Sequence, residues 1–298
     1  MAAKGGILFL NPMAGSFIGA DESELRAKAA EEGFRVVEIT PKVDVPATVR
    51  SALDAGYRSF IVAGGDGSIH HVVQALAGTE GVLGIVPIGT VNHAARDLEL
   101  PLTWREAFDV AIHGEVRQID TGRVNGIHFL NSVMVGIYPT ITEYRERFRS
   151  THSKWRAYML ALRLAMRQFR HVTLVLELGG RVETLRTQLF VVSINAYDLT
   201  QAGIAAPKIA LDDGHLTIYS FGFMSRMQFI RAAAKFFRGK IEEVEGFRRI
   251  RTPKLRIDVA RPKLRVSIDG EVRDLAPPLQ IAAAPASLLV RASRPAGA

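Results

Sequence analysis

The sequence contains no cysteine, and this absence excludes disulfides, thiolate metal sites and cysteine nucleophiles. Long apolar runs are missing as well, since none approaches the roughly 18 consecutive residues of a membrane-spanning helix. The N-terminal segment MAAKGGILFLNPMAGS carries one lysine and an apolar run too short for the core of a signal peptide. We therefore expect a protein that folds without covalent cross-links and stays in the cytoplasm.

The sequence does contain ample apolar material and an excess of positive charge. Its 298 residues are 48% hydrophobic and 23% charged, enough for two ordinary domains or one large one. The formal net charge is +8. Such an excess favours an anionic partner, namely nucleotide phosphates, nucleic acid or an anionic bilayer surface. A generally basic solvated surface would have the same composition.

The first third of the chain alternates short apolar runs with amphipathic segments. Strands are predicted over 6–10, 34–40, 59–63 and 82–86, and helices over 21–32, 44–55, 68–77 and 92–98. Thr103 and Glu106 predict a capping box for a further helix that ends at Gly114. This alternation predicts an α/β domain with a doubly wound parallel sheet.

After about Val116 the pattern changes to short strands joined by tight turns. Turn signals occur at Asn125-Gly126, Gly179-Gly180 and Asp269-Gly270, and two helical segments, 154–170 and 225–238, interrupt the strands. We predict a second, mainly antiparallel β domain. The domains are expected over 1–120 and 121–298, and the last residues could pack back on the first domain.

Two glycine-containing loops follow predicted strands of the first domain. GGDGS at 64–68 and PIGTVN at 87–92 each lead into a helix N-terminus, where free N–H groups favour anions. Because ligands of open parallel sheets bind beyond the carboxyl ends of strands, the two loops predict a polyphosphate site. Two tight strand–helix turns are the alternative. The predicted phosphate-binding residues are Gly64, Gly65, Gly67, Ser68, Thr90 and Asn92.

Five motifs in one order resemble the diacylglycerol-kinase catalytic family, which includes bacterial lipid kinases and the sphingosine and ceramide kinases. They are Asn11-Pro12, Gly64–Ser68, Pro87–Asn92, Asp212–Leu216 and Asp269–Glu271. The GGDG motif alone is shared with NAD kinases and phosphofructokinases, whereas the full series is far more specific. The family loop usually continues G-T-x-N-D-F-A-R, so His93 replaces an acid and Ala94 an aromatic residue. The change at His93 weakens any detailed transfer of metal ligation.

The resemblance implies a role for each acidic motif. Asp66 would meet Mg²⁺ or the transferred phosphate, with Asn11 nearby, although it could instead cap a helix. Glu271 would accept the proton of the acceptor hydroxyl, and Asp269 would assist it. On local pattern alone, Asp269-Gly270 is a β-turn and Glu271 an exposed strand residue. Asp213 would hold a structural Mg²⁺ together with the backbone carbonyls of Ala210 and His215.

The segment 154–170, KWRAYMLALRLAMRQFR, is basic and amphipathic. One predicted helix face carries Arg156, Arg163, Arg167 and Arg170, and the other carries Trp155, Met159, Leu162, Met166 and Phe169. Arg145, Arg147 and Arg149 precede it, and the basic segments 236–240 and 247–251 add to the charge. The apolar stripe is expected in the core, while the arginines could orient the protein on an anionic bilayer. No nucleic-acid module is recognised, so nucleic acid ranks below the membrane as a partner.

Together these expectations predict an ATP- and Mg²⁺-dependent lipid kinase at the inner face of the membrane. The acceptor would be a diacylglycerol-like or a sphingoid- or ceramide-like lipid, and the sequence leaves the choice open, as it does the oligomeric state. Two alternatives stay open: an NAD kinase-like enzyme, and a lipid- or nucleotide-binding regulator that has lost activity.

Overall fold

A computed structural model describes residues 5–14, 19–149, 153–200 and 207–293. The chain divides into two compact units. One comprises the chain up to Thr121 together with the segment from Pro285 onward, and the other comprises Gly122–Ala284.

The first unit is an α/β domain whose helices and strands alternate. Its strands are β1 (Ile7–Leu10), β2 (Arg35–Glu38), β3 (Ser59–Gly64) and β4 (Val82–Pro87), and β5 (Glu115–Val124) starts in it. Its helices are α1 (Gly19–Glu31), α2 (Val45–Asp54), α3 (Asp66–Leu76), α4 (His93–Asp97) and α5 (Trp104–His113). The strands pair in parallel in the order β2-β1-β3-β4, and the end of the final strand, β16 (Leu279–Ala292), continues this order beside β4.

Apolar side chains cover both faces of the central strands of this sheet. Ile7–Leu10 of β1 are all buried, as a parallel strand between two helical layers requires. Helix α2 shows how local sequence sets an element: Asp44 caps it by accepting a hydrogen bond from Ala47 N–H at 2.9 Å, and Val49 and Ala52 are buried on one face.

The second unit is a sandwich of two antiparallel sheets. Its further strands are β6 (Ile127–Phe129), β7 (Ser132–Gly136), β8 (Val172–Leu178), β9 (Arg181–Thr187), β10 (Leu189–Ile194), β11 (Leu216–Ser220), β12 (Arg248–Thr252), β13 (Lys254–Asp258), β14 (Leu264–Ile268) and β15 (Glu271–Leu275). One sheet has the order β12-β11-β10-β7-β14-β15, and in the other β9, β8, β13 and the start of β16 are neighbours. A shared apolar core, with Phe190 and Val133 from the first sheet and Leu174 and Ile257 from the second, lies between them.

Three α-helices and one 3₁₀ turn complete the described part of the second unit. They are α6 (Ile137–Arg149), α7 (Lys154–Arg167), α8 (Arg226–Phe236) and the turn Ile241–Glu243. The predicted fold class, an α/β domain with a parallel sheet followed by an antiparallel β domain, is confirmed.

Three local features differ from what the sequence predicts. The predicted helix at 68–77 begins at Asp66, two residues earlier. Thr103 does not form the predicted capping box, because its hydroxyl donates to the Glu106 carboxylate at 2.6 Å instead of accepting from the helix backbone. Helix α6 was not predicted: its first turn contains Pro139, and the packing of Ile137 and Ile141 against α7 decides its conformation.

Candidate functional site

The two glycine loops of the first unit lie side by side because they follow neighbouring strands. Strands β3 and β4 pair in parallel with Gly64 opposite Pro87, so their carboxyl ends meet at one edge of the sheet. Helix α3 begins directly after β3, and its N-cap is Gly65, which has no side chain to cover the first N–H groups of the helix. These N–H groups form the kind of site that binds phosphate oxygens.

Asp66 joins the two loops. Its Oδ1 accepts a hydrogen bond from the backbone N–H of Ala94, at 3.3 Å, in the first turn of α4. Asp66 therefore caps the helix of the other loop rather than its own. Asp66 thus does cap a helix, as the alternative interpretation of the sequence had it. This hydrogen bond holds its carboxylate between the two loops.

One glycine is required where the two loops approach each other, and another is required within the GGDGS loop. A β-carbon built on Gly89 would lie 2.5 Å from Cα of Gly65 and 2.6 Å from Oδ1 of Asn92. A β-carbon on Gly64 would lie 2.6 Å from that of Ser68. These positions admit no side chain without a backbone shift, so the backbone can come close to a ligand.

Asn11 and Ser68 are linked by their side chains. Asn11 Nδ2 donates to Ser68 Oγ at 3.0 Å, while Asn11 Oδ1 accepts from Met13 N–H at 3.0 Å. Ser68 is buried. The asparagine of the predicted NP motif therefore belongs to the same cluster as the GGDGS loop, and Ser68 does not cap α3.

Asn92 occupies the second loop with a left-handed backbone, φ 55°. Its Nδ2 donates to the carbonyl of Gly89 at 3.1 Å, which fixes the orientation of the amide. Its Oδ1 is buried and has no hydrogen-bond partner among the described residues. This atom is an acceptor, so it suits a donor such as a water or a ribose hydroxyl rather than a phosphate oxygen. Thr90 and Gly67 are exposed at the same edge.

The acidic motifs of the second unit lie at one end of its six-stranded sheet. Strand β7 begins at Ser132, β10 ends at Ile194, β11 begins at Leu216 and β14 ends at Ile268, and these antiparallel neighbours are in register. The segment before β11 and the turn after β14 therefore lie at the same edge. The structure brings Asp213 and His215 to the edge that also carries Asp269 and Glu271.

Asp269 anchors the start of β7. Its carboxylate accepts from the N–H groups of Leu130, Asn131 and Ser132 at 2.8, 2.8 and 3.1 Å. With φ 49° at Asp269 and 90° at Gly270, the two residues form the tight turn that the sequence predicts. These contacts give Asp269 a positioning role.

Glu271 is the first residue of β15 and is paired with Arg273 on the same strand. The Glu271 Oε2 lies 2.9 Å from Arg273 Nη2, and about a third of the Glu271 side chain, 30%, is exposed. Glu271 is therefore both a strand residue and a partly accessible carboxylate.

Asp213 is engaged by the chain itself. Its Oδ1 accepts from His215 N–H at 2.9 Å, and its Oδ2 lies 3.2 Å from Arg251 Nη2. The carbonyl of His215 accepts from Asn195 N–H at 2.9 Å. A guanidinium beside the carboxylate competes with a metal ion, so this arrangement does not fit Mg²⁺ bound by Asp213, Ala210 and His215. Among the described residues, no group of three or more His, Asp or Glu could hold a metal.

Two buried asparagines at the same edge were not identified from the sequence. Asn195 is fully buried, and neither Oδ1 nor Nδ2 has a hydrogen-bond partner in the described part of the chain. Asn131 Oδ1 is also buried without a hydrogen-bond partner among the described residues. An unpaired buried amide costs about 1–3 kcal/mol, so such groups point to a water or ligand that completes them. The only sequence signal was an asparagine at the end of an apolar strand.

The basic helix α7 presents its arginines to solvent. Arg156, Arg163 and Arg167 are exposed, and Leu162, Met166 and Phe169 pack around buried Ala161 and Ala165 as expected. Met159 of the predicted apolar stripe is exposed instead. The side chains of Trp155 and Arg149 lie outside the described residues. No helix within the described residues is long and apolar enough to cross a membrane.

Comparison with known proteins agrees with this arrangement of motifs. Residues 6–124 match the diacylglycerol kinase catalytic domain, and residues 131–292 match the YegS C-terminal NAD kinase beta sandwich-like domain. The chain is 29% identical to a diacylglycerol kinase of Mycobacterium tuberculosis over 274 residues, covering 89% of this chain and 87% of the relative. It is 29% identical to one of Bacillus subtilis over 240 residues, 76% of each chain.

A solved structure supports the same fold. The crystal structure of a diacylglycerol kinase from Bacillus anthracis is similar over the whole of both chains, with a TM-score of 0.72 at 20% identity. The two matched domains account for nearly all of the described residues, in the order in which the sequence motifs occur. The chain belongs to the diacylglycerol kinase catalytic-domain family.

Proposed function

We propose that this protein is an ATP-dependent lipid kinase that transfers the γ-phosphate of ATP to the hydroxyl of a membrane lipid. The observation that carries the proposal is the hydrogen bond between Asp66 and Ala94, which fixes a carboxylate between two glycine loops at the end of a parallel sheet. The relatives named diacylglycerol kinase support the same reaction.

The first unit would bind the nucleotide. The N–H groups of the first turn of α3 donate to phosphate oxygens. Because Gly65 and Gly89 carry no side chains, the phosphate chain can reach the backbone of both loops. Asp66 would repel a bare polyphosphate, so we expect the nucleotide to enter as its magnesium complex, and Asp66 would help to hold the cation, which would offset the phosphate charge. The free Oδ1 of Asn92 would accept from a water or a ribose hydroxyl.

The second unit would supply the base. The Glu271 carboxylate accepts the proton of the lipid hydroxyl as the hydroxyl oxygen bonds to the γ-phosphorus. The bond from that phosphorus to the β–γ bridging oxygen breaks, and ADP leaves with the electron pair. Asp269 contributes by holding the start of β7 in place.

The acceptor is proposed to be a lipid of the diacylglycerol or of the sphingoid and ceramide type. Such a molecule stays in the bilayer, so the enzyme must reach it from the membrane surface. We propose a peripheral enzyme at the inner face of the membrane, attracted by anionic lipids through its positive charge.

One experiment tests the proposal. The purified protein is incubated with radiolabelled ATP and, separately, with dioleoylglycerol, ceramide, sphingosine or NAD⁺ in detergent micelles, and the products are resolved by chromatography. Label in a phosphorylated lipid that is lost in Asp66→Asn supports the proposal. Label in NADP⁺ alone would assign an NAD kinase, which the name of the matched C-terminal domain keeps as the second candidate. Nucleotide binding without any labelled product would indicate a regulator and overturn the proposal.

A further inference from the structure

Helix α8 has apolar side chains on two sides. On its inner side Phe229, Ala232 and Phe236 belong to apolar clusters of the second unit. On its outer side Met227, Ile230 and, just past its end, Phe237 are 57%, 51% and 51% exposed. Phe223, shortly before the helix, is 61% exposed. The packing of the inner side explains the position of the helix. It does not explain why the outer side is apolar.

The outer residues form a continuous stripe. Met227, Ile230, Ala234 and Phe237 are three or four residues apart, which is the spacing that places side chains on one helix face. Scattered apolar residues on a surface are ordinary, whereas a contiguous stripe marks an interaction site.

The net positive charge of the chain comes from two segments of its sequence. The segments 147–176 and 214–241 hold 12 of the 38 Lys and Arg residues and none of the 30 Asp and Glu residues. The remaining chain has 26 basic and 30 acidic residues, so the whole net positive charge comes from these two segments. The first contains α7 and the second contains α8.

Helices α7 and α8 meet at their ends. The rings of Phe169 and Phe229 contact edge to face with centroids 5.2 Å apart, and Arg226 Nη2 donates to the carbonyl of Arg167 at 3.4 Å. The exposed Arg167 and, one turn earlier, the exposed Arg163 therefore lie near the N-terminus of α8.

Two of the cations beside the stripe are available for an external partner, and two are paired within the chain. Glu243 follows α8 and pairs with Lys235 and Lys240. Arg231 and Arg238 are exposed and have no ion pair with any described residue. Apolar side chains flanked by unpaired guanidinium groups match the interface of an anionic bilayer, where apolar groups enter the acyl boundary and cations meet lipid phosphates.

We propose that α8 is the element of this protein that inserts into the membrane surface, with the α7 arginines as electrostatic support. The proposal rests on the proposed function, because a lipid acceptor requires contact with the bilayer. A second copy of the chain is disfavoured as the occupant, since two such cationic surfaces repel each other. Nucleic acid is disfavoured because its phosphates would leave the exposed apolar side chains of the stripe without a partner.

Sedimentation with vesicles tests the proposal. The wild type, Met227→Ser/Ile230→Ser/Phe237→Ser and a control variant, Leu102→Ser/Val182→Ser, are mixed with vesicles of phosphatidylcholine and phosphatidylglycerol or of phosphatidylcholine alone. The control residues are exposed to a similar or greater extent, 51% for Leu102 and 69% for Val182, but they lie outside both basic segments. Each interfacial apolar side chain contributes about tenfold in affinity, so the triple variant should bind anionic vesicles about 1,000-fold more weakly. The control should bind as the wild type does.

The outcomes separate this proposal from the kinase assignment. Circular dichroism and thermal unfolding establish that each variant is folded, and lipid phosphorylation in detergent micelles should be unchanged in the triple variant. If a folded triple variant sediments with vesicles as the wild type does, α8 does not insert, and this holds even if lipid is phosphorylated. A wild type that forms dimers instead of binding vesicles, with dimers lost in the triple variant, assigns the stripe to a second copy and also overturns it. Failure of the kinase assignment would appear instead as absence of phosphorylation in micelles.

Discussion

The side chain of Asp66 accepts a hydrogen bond from the backbone N–H of Ala94, 28 residues later in the chain. One carboxylate oxygen thereby caps α4 and ties together the two loops that follow β3 and β4. The remaining carboxylate charge lies at the N-terminus of α3. Asp66 therefore has a structural contact that an amide can reproduce and a charge that an amide cannot.

Asp66→Asn should remove turnover and leave the fold intact. Asparagine caps a helix as well as aspartate does, so the Ala94 contact should persist and thermal unfolding should change little. Loss of the negative charge removes the partner of the nucleotide-bound cation, and we expect kcat to fall by about 10²–10³. Turnover of labelled ATP and thermal unfolding are the measurements.

Asp44→Asn is the matched control for this change. Asp44 caps α2 through Ala47 N–H in the same unit, so the contact that it makes lies within its own helix. The Asp44→Asn variant should retain full turnover. Near-normal turnover of Asp66→Asn would move the site elsewhere, and equal losses in both variants would reduce the role of Asp66 to helix capping.

Gly89→Ala should disturb the contact between the two loops. The new β-carbon would lie 2.5 Å from Cα of Gly65, which forces the loops apart. We expect a loss of about 1–3 kcal/mol in the free energy of unfolding and a higher KM for ATP. Gly222→Ala is the control, because a β-carbon there has no described atom within 4 Å and the residue has no positive φ. An unchanged KM in a folded Gly89→Ala protein would contradict a nucleotide at these loops.

The metal assignment made from the resemblance depends on Arg251. While its guanidinium lies 3.2 Å from Asp213, Mg²⁺ must displace it, so Mg²⁺ without nucleotide should not raise the melting temperature of the wild type. Arg251→Gln frees the carboxylate, and Mg²⁺ should then stabilise that variant. Stabilisation of the wild type by Mg²⁺ that disappears in Asp213→Asn would instead support a metal site at Asp213 with the pair broken.

The sequence was sufficient for the features that depend on neighbouring residues. Strand–helix alternation predicted the parallel sheet, and Asp269-Gly270 predicted a tight turn, which the positive φ angles of both residues confirm. Each rests on local periodicity or on the conformational freedom of one residue type.

Contacts between distant residues were beyond prediction. Nothing near Asp66 indicates that it caps α4, and nothing near Asp213 indicates that Arg251 neutralises it, because strand pairing over long separations creates both contacts. Helix α6 was missed for the same reason, since its conformation depends on packing against α7. The unpaired amide of Asn195 becomes visible only when its burial is known.

Replacing the α7 arginines should weaken vesicle binding without the loss of any apolar contact. Each basic residue near an anionic surface contributes about 1 kcal/mol, so Arg156→Gln/Arg163→Gln/Arg167→Gln should lose roughly 100-fold in affinity at low salt and less at high salt. Activity on detergent-dispersed lipid should remain. The control is Arg181→Gln/Arg261→Gln, two exposed arginines outside the basic segments. Unchanged co-sedimentation of the α7 variant would reject an electrostatic role for this helix.

Glu271→Gln tests the proposed base. If its carboxylate accepts the proton of the lipid hydroxyl, kcat should fall by about 10²–10⁴. The nucleotide Kd should change little, because the proposed phosphate-binding loops belong to the first unit. Arg273→Gln, which removes the ion pair but leaves the carboxylate, is the matched control and should lose much less activity.

The rival to this assignment is that Asp66 is the base and Glu271 only completes a turn. Glu271→Gln would then cost little, whereas Asp66→Asn would remove turnover with nucleotide binding intact. Measuring kcat and nucleotide Kd for both variants separates the two cases. A Glu271→Gln enzyme within threefold of the wild type, a barrier change of only about 0.65 kcal/mol, would contradict Glu271 as the proton acceptor.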